Sequence, residues 1–334
     1  MTTVTHPDDA LFSGEAPFPL LPGCEHYTGS EHRMHKALAL QNQLGAVFDI
    51  TLDCEDGAPL GQEREHAQMI VGVLNSADNR HRHAGIRIHD ADHPAWRQDL
   101  EIILGGAGDK VAYVTLPKLT SGSQAATLVD AVHGIANGLG IVEIPLHALI
   151  ETHGALRDVW AIAALPWMQT LDFGLLDFVS SHHGAIASTA MRSPGQFEHK
   201  LIVRAKTEVA AAALANGLVP SHNISLETRN THSTYQDAWR ARNEFGFLRM
   251  YSIHPDQIPP IVDAMKPTAS EIRRAADILI AAQATGWGPV THEGDMYDRA
   301  AYRYYWNVLR KAKAYGQNIP TAADAAFFSP RANP

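Results

Sequence analysis

The sequence predicts a (β/α)8 barrel followed by a helical C-terminal extension, and three observations lead there. Short apolar runs alternate with amphipathic stretches through residues 17–266, about eight repeats in the ~250 residues typical of that barrel. No G-x-G-x-x-G follows an early strand, so the doubly wound open sheet lacks its usual mark. The chain also has 334 residues, ample for one large core.

The elements can be justified in order. Residues 1–16 read as a flexible N-terminal arm, and 18–23 as a first strand and turn. Residues 30–44 follow as a helix with Ser30 as N-cap. Residues 46–53 are a buried apolar strand ending in the acidic cluster Asp53, Glu55 and Asp56. A helix over 62–75 leads to a strand at 85–89 with Arg87 inside it. A helix at 96–104, a strand at 110–117 ending in Pro117-Lys118, and a helix at 123–137 complete the first half.

The stretch 147–178 is the most informative. Its apolar start is a strand that delivers Glu151 at its end, and Leu156, Val159, Trp160, Ala163 and Ala164 recur at helical spacing until Pro166. Residues 170–174 are the next strand, with Asp177 three residues on. Strand, helix and strand form a parallel crossover, which puts both strand ends on one side of the sheet. Helices at 196–216 and 235–245 and strands at 218–224 and 247–253 close the barrel. Helices at 259–265, 270–285 and 298–315 follow, so residues 267–334 are read as a C-terminal helical lid and oligomerisation region.

Composition narrows the function. The net charge of −9 and pI near 6.1 argue against nucleic acid. The N-terminus lacks a basic start and apolar run, and no apolar stretch approaches membrane-spanning length. Two cysteines, Cys24 and Cys54, suit a reducing cytoplasm better than a disulfide scaffold.

At the barrel's C-terminal mouth the sequence gathers Asp53, Glu55, Asp56, Arg87, Lys118, Glu151 and Asp177. Active sites of such barrels are built there. Glu151 and Asp177 converging make an oxygen-rich site suited to Mg²⁺, while either acid alone also reads as a helix N-cap. Arg87 inside a strand needs a partner: one of the acids, or a substrate carboxylate gripped by its planar fork. His153, His182 and His183 lie near these acids, and imidazole would favour Zn²⁺ or Fe²⁺. They form no H-x-x-x-H pair and read as residues supporting the metal acids from behind or as loop residues.

Seven motifs then occur in one order: L-D-C-E-D-G-A-P at 52–59, I-R-I-H at 86–89, L-P-K at 116–118, I-E-T-x-G at 150–154, F-G-x-x-D at 173–177, I-H-P-x-Q at 253–257 and H-E-G-D-M-Y-D at 292–298. From residue 18 to 313 the chain resembles the HpcH/HpaI aldolase and citrate lyase β-subunit superfamily, in its CitE-like or malyl-CoA lyase-like branch. The resemblance implies a Mg²⁺ (or Mn²⁺) held by Glu151 and Asp177, with Glu55 and Asp56 hydrogen-bonding the metal's waters. It implies Arg87, with Lys118 beside it, as the grip on the small acid's carboxylate or carbonyl. Asp298 is implied as an acid/base delivered by a neighbouring subunit's tail, hence a homo-oligomer, trimer or hexamer, with a shared lid.

The implied reaction is cleavage of a β-hydroxy acyl thioester such as malyl-CoA or citramalyl-CoA into an acyl-CoA and an α-keto acid. Rivals keep the site and change the chemistry: a thioesterase, a malate-synthase-like condensation with hydrolysis, or an aldolase of free hydroxy-oxo acids. A non-catalytic dicarboxylate-binding oligomer is the rival from another class. The chain departs from the family pattern at the first strand, which lacks an Arg-Ser pair, and at His89, Leu119 and Leu175. Those departures touch CoA recognition and leave the metal acids intact.

Overall fold

The computed structural model describes residues 5–12, 14–15 and 18–329. They divide into two compact units, Leu21–Met265 and the pair Met1–Leu20 with Lys266–Pro334. The larger unit is a closed barrel of eight parallel strands: β1 (Cys24–Thr28), β2 (Phe48–Asp53), β3 (Ala84–Arg87), β4 (Val114–Leu116), β5 (Leu146–Ile150), β6 (Met168–Phe173), β7 (Val219–His222) and β8 (Arg249–Ser252). Pairing of Cys24 with both Phe48 and Met250 closes the ring. The (β/α)8 barrel is therefore the fold.

Side-chain alternation along each strand sorts the residues. On β2, Phe48, Ile50 and Leu52 are fully buried and join the apolar layer that includes Leu38, Ile70 and Leu74 of the surrounding helices. The helices take their places by amphipathic spacing: Glu31–Leu44 buries Met34, Ala37, Leu38 and Gln41 in its apolar stripe. The intervening strand residues Asp49, Thr51 and Asp53 meet partners across the barrel interior.

The first strand is displaced from its expected place. It is Cys24–Thr28 rather than 18–23, because Pro19 and Pro22 have no N–H for a ladder. Gly23 supplies only its carbonyl, to Met250 N at 3.0 Å. The sequence of β1, Cys-Glu-His-Tyr-Thr, hides its strand character behind polar residues that only a barrel interior can use. The helix expected from 156 is two shorter ones, His153–Arg157 and Val159–Ala163.

The second unit has its own apolar cluster, with Ile272, Leu279, Trp287, Tyr302, Trp306 and Leu309. Its helices are Ala269–Ala284, Arg299–Ala314 and Thr321–Phe327, with an antiparallel hairpin of β9 (Val290–His292) and β10 (Asp295–Tyr297) between the first two. Glu293 and Gly294 turn that hairpin at φ 50° and 91°, the left-handed pair that matches strand twist. The expected loose arm is held, not free, where it is described. Pro7–Leu11 is a helix whose Leu11 and Phe12 are buried in this cluster, and Trp306 Nε1 donates to Asp8 Oδ1 at 2.7 Å. Apolar side chains and an aromatic anchor hold the described part in place; residues 1–4, 13 and 16 of the arm lie outside the described residues.

Candidate active site

The C-terminal ends of the strands surround a cleft of ≈ 660 Å³. Its lining includes Tyr27 and Thr28 from β1, Asp53 at the end of β2 and Asp56 after it, Arg87 from β3, Glu151 after β5 and Asp177 after β6. Of the residues expected at the mouth, Asp53, Asp56, Arg87, Glu151 and Asp177 line this cleft, Glu55 and Lys118 adjoin it through contacts to Arg87 and Glu151, and Asp298 lies in the other unit.

Glu151 follows directly on β5 and is almost wholly buried. Its Oε1 accepts from the backbone N–H of Lys118 at 2.7 Å. Lys118 can aim that N–H because its backbone sits at φ 48°, a strained conformation for a residue with a Cβ. Gly174 lies against the same carboxylate, and a Cβ there would stand 2.1 Å from Glu151 Oε2. Burial, and then the charge of Asp177, push the Glu151 carboxyl up to about 8. Asp177 is half-buried in the first turn of the helix Leu175–Ser180. Two carboxylates repelling each other at a buried site call for a positive charge between them. An oxygen-only donor pair of this kind fits a hard divalent cation.

Arg87 takes the partner that a buried guanidinium requires. Its Nε and Nη2 donate to Asp53 Oδ1 and Oδ2 at 2.7 and 2.6 Å, and Nη1 lies 2.8 Å from Glu55 Oε2. The guanidinium also sits 5.1 Å over the Tyr27 ring. Burial opposes the charge on Asp53, but the Arg87 guanidinium and the N–H groups of Glu55 and Gly57 outweigh it and hold the carboxyl below the usual range. The fork binds an internal carboxylate in the bidentate mode considered for substrate.

Lys118 Nζ reaches Glu55 Oε1 at 2.5 Å and Asp56 Oδ1 at 3.0 Å. Burial disfavours its ammonium, yet those two carboxylates prevail and raise its pKa. Glu55 and Asp56 therefore bridge Arg87 and Lys118. Asp298 caps the helix Arg299–Ala314, its Oδ1 accepting from Ala300 N at 2.9 Å, and is exposed.

Of the three histidines, His153 opens the helix His153–Arg157, while His182 and His183 lie in the turn after Ser180. His153 Nε2 meets Ser181 O at 3.2 Å, His182 Nδ1 meets Phe178 O at 2.5 Å, and His183 closes a turn at φ 53°. The I-H-P-x-Q motif is a cap: His254 and Gln257 hydrogen-bond each other's backbone around the 3-10 turn Pro255–Gln257. Cleft residues that sequence reasoning misses are Arg33 and Lys36, one turn apart on the helix Glu31–Leu44, with Tyr251, Asn223 and His254. The i, i+3 spacing of two cations at a strand-to-helix junction is their available signal.

Comparison with known proteins follows the same lines. A family model described as HpcH/HpaI aldolase/citrate lyase matches residues 33–255. The chain is 51% identical to a crystal structure of a citrate lyase from Burkholderia xenovorans LB400, covering 98% of this chain and 100% of that one with a TM-score of 0.86. It is 24% identical over 277 residues to the L-malyl-CoA/beta-methylmalyl-CoA lyase of Cereibacter sphaeroides, 79% of this chain and 87% of the relative. A structure of the protein CitE from Mycobacterium tuberculosis, in complex with magnesium, acetoacetate and coenzyme A, shares the fold at 21% identity. That match covers 88% of this chain and 98% of the other, with a TM-score of 0.68. With two thirds of its length matched by the family model and its barrel shared throughout, the chain belongs to the HpcH/HpaI aldolase/citrate lyase family of lyase enzymes.

Proposed function

We propose that this chain is a Mg²⁺-dependent carbon–carbon lyase that cleaves a malyl-CoA- or citramalyl-CoA-like β-hydroxy acyl thioester into an acyl-CoA and an α-keto acid. The observation that carries the reading is the pair Glu151 and Asp177 in the cleft, where the buried carboxyl is driven up to about 8 by burial and its neighbour. Relatives that are named malyl-CoA lyases, and a related fold crystallised with magnesium and coenzyme A, support it.

Glu151 and Asp177 would hold the Mg²⁺. When bound, the ion would supply a Lewis acid for the α-oxy acid portion of the substrate. Arg87 uses at most three of the five N–H donors of a guanidinium on Asp53 and Glu55. The remaining two are left for the substrate's carboxylate, with Lys118 beside it. Arg33 and Lys36 at the rim suit the phosphates of the thioester's carrier. Bond cleavage then needs one group to take the hydroxyl proton and return a proton to the enolate carbon. Asp298 from the tail of a neighbouring copy is assigned that role, which makes the enzyme a trimer or hexamer with a shared lid. Its two free, buried thiols fit work in the cytoplasm.

The deciding assay supplies L-malyl-CoA and citramalyl-CoA with Mg²⁺ and measures glyoxylate, pyruvate and free CoA separately. Keto acid appearing ahead of free CoA is expected. Free CoA without keto acid would make the enzyme a thioesterase, and turnover only of free hydroxy-oxo acids would remove CoA from the reading.

A further inference from the structure

Below the mouth the interior of the barrel is polar to a degree that the proposed reaction does not use. Glu25 of β1, His147 of β5 and Asp172 of β6 are fully buried. One atom of each lies within 4.8 Å of the others. His147 Nδ1 is 3.6 Å from Glu25 Oε2 and 3.9 Å from Asp172 Oδ2, too far for a hydrogen bond to either.

The tautomer of His147 sharpens this arrangement. Its Nε2 faces Gln169 Oε1 at 3.1 Å, and with the amide in this orientation the ring donates from Nε2. Nδ1 then offers a lone pair toward two carboxylates. Orientation of a ligating imidazole by a hydrogen bond from its other nitrogen is the usual support of a metal-bound histidine.

The surrounding groups leave the point unfilled. Glu25 Oε2, His147 Nδ1, both oxygens of Asp172 and the hydroxyls of Thr115 and Thr170 meet no partner at full hydrogen-bond geometry among the described residues. His147 approaches Glu25, and Thr170 approaches Asp172, closely enough to favour the charged carboxylates without closing a good bond. Thr115 and Thr170 are the cross-strand neighbours of His147 on either side and are fully buried. Each such group is costly to bury unless something meets it. Arg249 Nη2 serves Glu25 at 3.2 Å and Asp49 at 2.5 Å.

We infer that Glu25, His147 and Asp172 form a buried structural site for a divalent transition metal of the zinc class, separate from the acids of the mouth. One nitrogen and two carboxylate oxygens suit Zn²⁺ far better than Mg²⁺, whose ligands are oxygens and waters. The threonine hydroxyls complete the site by hydrogen-bonding a metal-bound water. Because the ligands are sealed from solvent, the ion enters as the barrel closes and stabilises the packed interior.

The test is metal analysis of the full chain purified without chelator, together with refolding in Co²⁺ to read the visible absorption of an N/O-ligated ion. About one zinc-class ion per chain is expected, resisting EDTA while the protein is native and released when it unfolds. His147→Gln and Asp172→Asn should each lower that content about tenfold or more, whereas Glu151→Gln should lose the response to Mg²⁺ and keep the buried ion. The wild-type Co²⁺ spectrum needs no variant to fold. A chain without the ion, giving no Co²⁺ band and carrying protons on both nitrogens of His147 by NMR, overturns the site in favour of an imidazolium between carboxylates. Unchanged metal content in His147→Gln overturns it equally.

Discussion

In the metal-free protein Glu151 keeps a proton that the unfolded chain gives up. Its carboxyl moves from an ordinary 4.5 to about 8, so the stability tied to that proton is fully present below about pH 4.5 and is lost as pH rises through 8. Glu151→Gln should flatten this dependence and stabilise the chelated protein near pH 9 by on the order of 3 kcal/mol. Urea titrations in EDTA from pH 5 to 9 check it, and a parallel pH profile in variant and wild type would remove the proposed strain. Asp53 works in the opposite sense. It is the bidentate partner of Arg87 and the acceptor for two loop N–H groups. Asp53→Asn leaves a buried guanidinium under-compensated and should cost about 3–5 kcal/mol in urea unfolding. A loss below about 1 kcal/mol would mean that Glu55 suffices.

At the scale of elements, the helix Arg299–Ala314 depends on Asp298 for its N-cap, and the same residue is the proposed acid/base. The two roles separate by substitution. Asn caps as well as Asp, so Asp298→Asn should melt like wild type, keep its mass and its Mg²⁺ response, and lose most turnover. Asp298→Ala should lose turnover and about 1 kcal/mol besides. Normal turnover in Asp298→Asn would end the tail-acid reading. The strands behave differently from the helices here. Helix limits follow the 3.6-residue pattern, as in 31–44 and 269–284, whereas β1 escapes the pattern because its inward residues are Glu25 and Tyr27 rather than aliphatic ones.

For the whole molecule, two consequences follow from the proposed metal and lid. Binding to the native state alone raises stability by mass action, about 2.7 kcal/mol at a free Mg²⁺ a hundredfold above its Kd. Melting curves with and without Mg²⁺ should therefore separate in the wild type and coincide in Glu151→Gln. Native mass spectrometry or light scattering should give three or six chains per particle. A monomer that turns over substrate at full rate would detach Asp298 from any neighbouring copy.

The class of the fold, the order of most of its elements and the acids and cations that follow β2 to β6 are legible in the order of amino acids. Hydrophobic periodicity is local, and a parallel crossover carries every strand end to the same side. Pattern and topology together therefore suffice to bring Arg87, Glu151 and Asp177 to one mouth, with Lys118 beside Glu151. Seven short motifs in order identify the family. What each polar group binds emerges only when the barrel closes. Arg87 closes on Asp53, 34 residues away. Closure of β8 onto β1 brings Arg249 to Asp49 across 200 residues. His147, which reads as the edge of an apolar strand, faces Glu25 and Asp172 across the interior. The difference is one of range: burial patterns repeat every two or four residues, but hydrogen bonds and charges in a closed barrel are shared between strands that the chain keeps far apart.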